Sequence, residues 1–115
     1  MKNVIGIDLG GTKINSGIVD ENGKILKKLD IKTESKSGRK EVLDGISYLI
    51  MELMKRYDVE AIGIGSPGSI DINTGIVSSL GANISGWTGT NIKGELEREF
   101  YPLNVFVEND ANVAT

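Results

Sequence analysis

The 115-residue sequence contains neither cysteine nor histidine. Without cysteine the chain has no disulfide framework and no thiol nucleophile. The absence of both residue types also removes the usual protein ligands of zinc, and the absence of histidine excludes a Ser-His-Asp triad.

Clusters of basic residues and long apolar runs are absent as well. The formal net charge is −3, whereas a surface that binds nucleic acid needs clustered Lys and Arg to neutralise phosphates. No apolar run is long enough to span a bilayer, and no charged-then-apolar leader opens the sequence. We therefore expect a cytoplasmic protein that binds neither nucleic acid nor membranes.

The residues that are present suit one folded α/β domain. Hydrophobic residues make up 39% and charged residues 25% of the chain, which is ordinary for a globular domain. Short apolar runs bounded by turn residues indicate strands, and apolar residues at steps of three and four indicate helices. The predicted order is β-β-β-α-β-α-β in a mixed five-stranded sheet, with strands at 4–9, 14–19, 24–33, 60–65 and 103–107 and helices at 39–57 and 92–100.

Burial patterns within these elements lead to three further predictions. Ile25, Leu29 and Ile31 alternate with charged residues, so the third strand should lie at an edge with these side chains on its inner face. The nearly uncharged run 60–65 should be a central strand that is covered on both faces. Met54 should widen the buried stripe of the first helix.

A glycine-rich loop precedes the second predicted helix. Its Trp87, the only tryptophan, should anchor the loop in the core. Asn83 offers a donor and an acceptor to a polyhydroxylated ligand, but it is equally compatible with a turn-capping amide. Asn91 or Thr90 should cap the helix that follows.

An acidic residue, two glycines, a hydroxyl and an ammonium occur together at 8–13, between the first two predicted strands. A tight turn needs only the glycines. A phosphate site uses the whole set, because glycine N–H groups converge on anionic oxygens, Thr12 and Lys13 add a hydroxyl and positive charge, and Asp8 can hold magnesium or its water. The stretch is therefore either a glycine turn or the phosphate half of a site.

Polar residues also follow the fourth and fifth predicted strands. Ser66-Pro67-Gly68 fits a type II turn, and Asp110 fits the N-cap of a following helix. In an open α/β sheet, however, ligands bind beyond the carboxyl ends of the strands, and Asp8, Ser66 and Asp110 each lie at such an end. Both interpretations stay open for each residue taken alone.

Four motifs occur in order along the chain: residues 8–13, residues 63–68, Asn83 with Trp87, and Glu108-Asn109-Asp110-Ala111-Asn112. Together they resemble the N-terminal lobe of the ROK family (repressors, open reading frames and kinases) in the actin-like ATPase, or sugar kinase, superfamily. The resemblance covers essentially the whole chain, and four motifs in succession are far more specific than any one. It implies an actin-like ATPase (RNase H-like) domain and ATP-dependent phosphorylation of a hexose, with glucokinase-like members the most similar.

The resemblance also implies a role for each motif. Asp110 would be the general base that takes the proton from the attacking sugar hydroxyl, and Asp8 would hold Mg²⁺, directly or through water. The residues that would face the ATP phosphates are Gly10, Gly11, Thr12 and Lys13. Those that would bind the sugar or line its pocket are Ser66, Gly68, Asn83, Asn109 and Asp110.

The same resemblance implies that residues 1–115 form only the N-terminal lobe. The second lobe, which in the family supplies the adenosine pocket, further sugar ligands and often a zinc site, is missing from this chain. We therefore expect the 115 residues to be inactive alone and to form a homo-oligomer through uncovered apolar surface. Two alternatives are a non-catalytic sugar- or nucleotide-binding module and the sugar-sensing lobe of a ROK-type repressor. Because Met1 lies immediately before the first strand, we expect no DNA-binding helix-turn-helix.

Overall fold

A computed structural model describes residues 2–34, 36–67, 70–71, 73–77, 84 and 86–109. Strands and helices follow one another along these residues in the order β-β-β-α-β-α-β, which confirms the prediction. Neither helix in the described part of the chain is long and apolar enough to cross a bilayer. The elements are β1 (Val4–Leu9), β2 (Lys13–Val19), β3 (Ile25–Lys32), α1 (Arg39–Met54), β4 (Ala61–Ser66), α2 (Ile92–Glu99) and β5 (Asn104–Asn109).

The five strands form one mixed sheet in the spatial order β3-β2-β1-β4-β5. β1 pairs antiparallel with β2, and β2 pairs antiparallel with β3, because short turns connect them. β4 and β5 lie parallel to β1 because each is reached through a crossover that contains a helix. The carboxyl ends of β1, β4 and β5 therefore meet at the same end of the sheet.

Both helices pack on one face of the sheet, hereafter the covered face. Alternate residues of β1, β2, β4 and β5 are buried there together with the apolar stripe of α1. α2 lies beside α1, and Ser47 Oγ of α1 donates to Glu99 Oε1 of α2 at 2.6 Å. The fully buried aliphatic side chains on this face include Ile5, Ile7, Leu9, Ile14, Ile18, Ile62 and Ile64 from the strands and Ile46, Leu49, Ile50 and Leu53 from α1.

The opposite face, hereafter the open face, has no such cover among the described residues. Gly17, Gly6 and Gly63 lie side by side on β2, β1 and β4 and form a glycine row. A Cβ on Gly6 or Gly63 would have no neighbour within 4 Å. The row is flanked by Lys28 on β3 and by Phe106 on β5, whose side chain is 60% exposed.

This open face shows that one prediction about the central strand is wrong. The run 60–65 was expected to be covered on both faces, but Gly63 within β4 is only half-buried and nothing packs over it in the described part of the chain. The middle of this run carries no charged side chain because its position on the open face is occupied by Gly63. A glycine has no side chain whose polarity could reveal the environment of that face.

A β-bulge changes which residues of β3 face inward. The register of the β2–β3 pair shifts between Ile18 and Val19, because β3 carries one extra residue there. Leu26 packs against the core instead of Ile25, which is 52% exposed. The predicted inner position of Ile25 is therefore wrong, whereas β3 does lie at an edge of the sheet and its other two predicted inner residues do pack inward.

α1 ends three residues before the end of its predicted span. The N–H of Lys55 bonds to Glu52 O, three residues back, so the last turn is tighter than an α-turn. Tyr57 still packs against the core from the turn that follows. Met54 is 36% exposed, so the prediction that it widens the buried stripe is wrong.

α2 begins where the sequence predicts. Asn91 Oδ1 accepts a hydrogen bond from Gly94 N–H at 2.9 Å, which confirms Asn91 as the N-cap. A Cβ on Gly94 would lie 2.5 Å from Asn91 Nδ2, so only glycine leaves room for this cap. Ile70 and Val77 form an isolated antiparallel bridge in the segment between β4 and α2.

Candidate functional site

The polar residues predicted at the strand ends do lie at one end of the sheet. Asp8 of β1 is in register with Gly65 of β4, and the next residue of β4, Ser66, is in register with Asn109 of β5. Asn109 is the last residue of β5, which extends two residues beyond its predicted end. Asp8 is exposed, Asn109 is half-buried and Ser66 is fully buried. The predicted site residues that lie outside the described residues are Gly68, Asn83 and Asp110.

The turn between β1 and β2 is fixed by its own backbone and by Thr33. Gly10 N–H donates to Lys13 O at 3.0 Å, and a Cβ on Gly10 would lie 2.9 Å from that oxygen, so a side chain does not fit there. Thr33 follows β3 and is 3% exposed. It donates through Oγ1 to Gly10 O and through its N–H to Thr12 O, each at 2.8 Å. The sequence analysis missed Thr33, because its partner Gly10 lies 23 residues earlier.

The turn fits an anionic oxygen. The backbone hydrogen bonds of the described residues leave the N–H groups of Gly11 and Thr12 without an acceptor. Gly11 is half-buried and Thr12 is exposed. The two N–H groups therefore lie near the surface, next to the Thr12 hydroxyl. Consecutive backbone N–H groups in a turn form the kind of concavity that binds phosphate.

Lys13 is engaged on the open face. Its Nζ pairs with Asp30 Oδ2 at 2.8 Å across β2 and β3, and both side chains are at least half exposed. An exposed pair of this kind stabilises a protein by only about 0–1 kcal/mol. The predicted contact of Lys13 with phosphates stays a prediction.

Asp8 lies on the open face, where it lines a depression of about 490 Å³ with Asn15, Lys28 and Asp30. Within the described ranges, no group of three or more Asp, Glu, His or Cys side chains is placed to hold a metal ion. Magnesium does not require such a group, since one or two carboxylates usually bind it together with phosphates and water. A single exposed carboxylate such as Asp8 is compatible with that mode of binding, and the predicted magnesium contact of Asp8 stays a prediction.

Trp87 anchors its loop, as the sequence predicts. Its side chain is 1% exposed, and its Nε1–H donates to Ser66 Oγ at 2.9 Å. The Ser66 hydroxyl donates in turn to Pro67 O at 3.0 Å. The loop is thereby connected to the carboxyl end of β4.

Arg39, the first residue of α1, holds the same loop from outside. Its Nε donates to Gly86 O at 3.1 Å and its Nη2 donates to Thr88 O at 3.2 Å. These carbonyls lie 47 and 49 residues later in the chain. No local pattern in the sequence indicates such a contact, so the sequence analysis missed Arg39.

Two charged side chains of α2, the Lys93–Glu97 pair, hold strand β5. Glu97 Oε2 accepts hydrogen bonds from Lys93 Nζ at 2.8 Å and from Val105 N–H at 3.0 Å. Lys93 Nζ also donates to Val105 O at 2.6 Å and lies 5.6 Å from the centroid of the Phe106 ring. The hydrogen bond from Lys93, and next that from Val105, hold the pKa of the Glu97 carboxyl below its ordinary value of 4.5. The pair fixes the strand that ends at Asn109.

A model of the ROK family matches residues 4–115, which is nearly the whole chain. The chain belongs to the ROK family. Among curated relatives, the glucokinase of Thermotoga maritima is 41% identical over 109 residues, which cover 95% of this ROK chain and 34% of that protein. The glucokinase of Streptomyces coelicolor is 34% identical over 110 residues, which cover 96% of this chain and 33% of that protein. The chain thus spans about a third of the length of the curated relatives it matches.

Solved structures confirm the actin-like ATPase fold of this ROK chain. A ROK family glucokinase from Streptomyces griseus, in complex with glucose and AMPPNP, has a TM-score of 0.87 at 38% identity and covers 97% of this chain and 34% of its own. A ROK hexokinase from Thermus thermophilus has a TM-score of 0.85 at 34% identity over 97% of this chain and 36% of its own. A ROK family transcriptional regulator has a TM-score of 0.81 at 22% identity over 95% of this chain and 28% of its own, and at that identity the likeness shows the fold alone.

Proposed function

We propose that this chain is the N-terminal lobe of a sugar kinase that transfers the γ-phosphoryl group of ATP to a hydroxyl of a hexose. The observation that carries the proposal is the meeting of three strand ends, at which Asp8 and the turn 10–13, Ser66, and Asn109 lie side by side. Open α/β sheets bind ligands at this end. The glucose and AMPPNP bound to the Streptomyces griseus relative support the choice of ligands.

The turn 10–13 forms the phosphate side in this proposal. The N–H groups of Gly11 and Thr12 and the Thr12 hydroxyl would bind phosphate oxygens, and Lys13 would add positive charge. Asp8 would hold Mg²⁺, directly or through water, and the ion would supply neutralisation of phosphate charge. Phosphoryl transfer depends mainly on positioning and charge neutralisation, so this site needs no covalent nucleophile.

The sugar side would be formed at the ends of β4 and β5. Asn83 and Asn109 would bind sugar hydroxyls, and the turn at 66–68 would line the pocket. Asp110 directly follows β5 in the chain. Its carboxylate would accept the proton of the attacking hydroxyl as the new O–P bond forms and the bond between the γ-phosphorus and the β–γ bridging oxygen breaks, with ADP as the leaving group.

The role of Asp110 is tested by Asp110→Asn in the full-length protein, assayed with glucose and ATP in a coupled assay. Because general-base catalysis contributes about 10²- to 10⁴-fold, kcat should fall by about that factor, whereas glucose binding measured by calorimetry should be retained. Asp44→Asn, which removes an exposed carboxylate of α1, is the matched control and should leave kcat unchanged. An unchanged kcat in Asp110→Asn would remove Asp110 from this role.

The lobe assignment is tested by assaying the 115-residue chain beside the full-length protein. The chain alone should show no measurable turnover, because the adenosine half of ATP would bind the second lobe. Calorimetry of the full-length protein with glucose, fructose, N-acetylmannosamine and ATP separates the alternatives. Sugar binding without phosphorylation would favour a sensor or binding module over a kinase.

A further inference from the structure

A polar contact in the core connects Trp87 to the end of β4. Trp87 and Ser66 are both buried, and the indole N–H donates to the Ser66 hydroxyl at 2.9 Å. Packing alone would accept an aromatic ring in more than one orientation. A buried N–H that needs an acceptor restricts the indole to one orientation, so this contact sets where the loop lies and not merely that it is buried.

A second contact with the loop is made by Arg39, whose side chain is exposed and is not part of the hydrophobic core. Arg39 donates to the carbonyl oxygens of Gly86 and Thr88, the two residues that flank Trp87. A planar guanidinium presents donors in a fixed fork, which a lysine ammonium cannot reproduce. Gly86 has a φ of 67°, a conformation that glycine adopts readily, so the backbone presents its carbonyl to Arg39 without strain.

We propose that Arg39, Ser66 and Trp87, together the Trp87 clamp, are positioning residues for sugar binding. This inference rests on the proposed function. Trp87 lies four residues after Asn83 in the chain, and the clamp joins its loop to the strand end that carries the 66–68 turn. The clamp therefore links Trp87, which follows one proposed sugar-binding segment in the chain, to the strand end that precedes the other. Its hydrogen bonds among the described residues do not go to the turn 10–13.

The test measures the KM for glucose, the KM for ATP and kcat in the full-length protein, together with the glucose Kd by calorimetry. Trp87→Phe removes the indole N–H and keeps an aromatic ring, and Arg39→Ala removes the fork. Trp87→Phe loses one buried hydrogen bond and Arg39→Ala loses two exposed ones. Each variant should raise the KM and Kd for glucose about 3- to 10-fold, while the KM for ATP stays unchanged. Arg39→Lys should behave like Arg39→Ala, because geometry and not charge is at issue.

Two matched controls separate positioning from general destabilisation. Ser47→Ala removes a hydroxyl that bonds α1 to α2, as a counterpart to the buried hydroxyl contact of the clamp. Lys40→Ala removes the basic side chain that follows Arg39 in the chain. The ammonium of Lys40 pairs with Asp44 within α1. Both controls should leave the glucose KM and Kd at the wild-type values, and thermal melts check that all variants are folded.

The outcomes distinguish this inference from the proposed function. Phosphorylation of glucose with unchanged glucose KM and Kd in folded Trp87→Phe and Arg39→Ala overturns the clamp alone. Glucose affinities that fall in all variants in proportion to their melting temperatures also overturn it. Wild-type protein that binds glucose without phosphorylating it overturns the kinase, and weaker glucose binding by the clamp variants then still supports the clamp. Absence of glucose binding by the wild type overturns both.

Discussion

The two faces of the sheet are built from the same strands in opposite ways. On the covered face, alternate residues are aliphatic and fully buried against α1 and α2. On the open face, alternate residues form the glycine row, with Lys28 at one end and Phe106 at the other. The period of a strand thus predicts which residues share a face, and the fully buried aliphatic side chains of the described strands lie on the covered face.

The largest loss of stability should come from shortening a buried side chain on the covered face. Ile64→Ala removes a fully buried side chain from β4, and such substitutions cost about 2–5 kcal/mol because they lose transfer free energy and leave a cavity. The free energy of unfolding of the 115-residue chain, from urea titration, measures this. Val4→Ala, at a 37% exposed position of the open face, is the control and should cost much less. Equal losses in the two variants would show that the faces do not differ as described.

A smaller effect on stability is expected at Glu97, through which α2 bonds the outer edge of β5. Glu97→Gln weakens the contacts of Glu97 with Lys93 and Val105 and should cost about 1 kcal/mol near neutral pH. The pKa of Glu97 is lower in the folded chain than its ordinary 4.5, so its charge stabilises the fold above that pH. This stabilisation is lost as the pH falls through the folded pKa.

Urea midpoints measured near neutral pH and in acid should therefore show a gap between wild type and Glu97→Gln that shrinks as the pH falls. Glu21→Gln, an exposed change in the turn between β2 and β3, serves as the control and should produce almost no gap. A gap of constant size at every pH would show that Glu97 acts through its shape and not its charge.

An added methyl group on the open face should change stability only slightly. Gly63→Ala places a Cβ where no atom lies within 4 Å, and the loss of chain freedom in the unfolded state should stabilise the 115-residue chain by about 0.4–1 kcal/mol. Thermal melts measure the difference. Gly75→Ala is the contrasting variant, because its Cβ would lie 2.3 Å from Lys93 Cβ and its φ is +70°. Destabilisation by Gly63→Ala in this chain would mean that other atoms pack against Gly63 on the open face.

Phe106→Ser should have the smallest effect on stability but a measurable effect on self-association. Uncovered apolar surface favours self-association, and Phe106 is the most exposed large apolar side chain of the open face. Light scattering should show the wild-type 115-residue chain associating at high concentration and Phe106→Ser associating less. Tyr48→Ser, at a 50% exposed position of α1, is the control. A wild-type chain that stays monomeric would contradict the prediction.

Features that depend on local chemistry were predictable from the sequence. The order of the elements follows from hydrophobic periodicity, and the Asn91 cap and the burial of Trp87 follow from the residue types themselves. The bulge that exposes Ile25 and the pairing of Lys13 with Asp30 could not be predicted, because both depend on strand register.

The parts of the candidate site that the sequence does not reveal depend on long-range contacts. Thr33 supports the turn 10–13, and Arg39 holds the Trp87 loop, each across tens of residues of chain. Neither residue belongs to a motif, and each acts on the backbone of its partner. Backbone carbonyls are present in every residue, so nothing in the partner's sequence marks such a contact.

The contact of the Lys93–Glu97 pair with Val105 has a consequence for how molecules can aggregate. β5 is an outermost strand, and the exposed N–H and C=O groups of such a strand serve as a template for a strand from another molecule. Glu97 and Lys93 already bond both groups of Val105, so a foreign strand cannot pair there. Addition of a strand from another molecule at Val105 is therefore blocked.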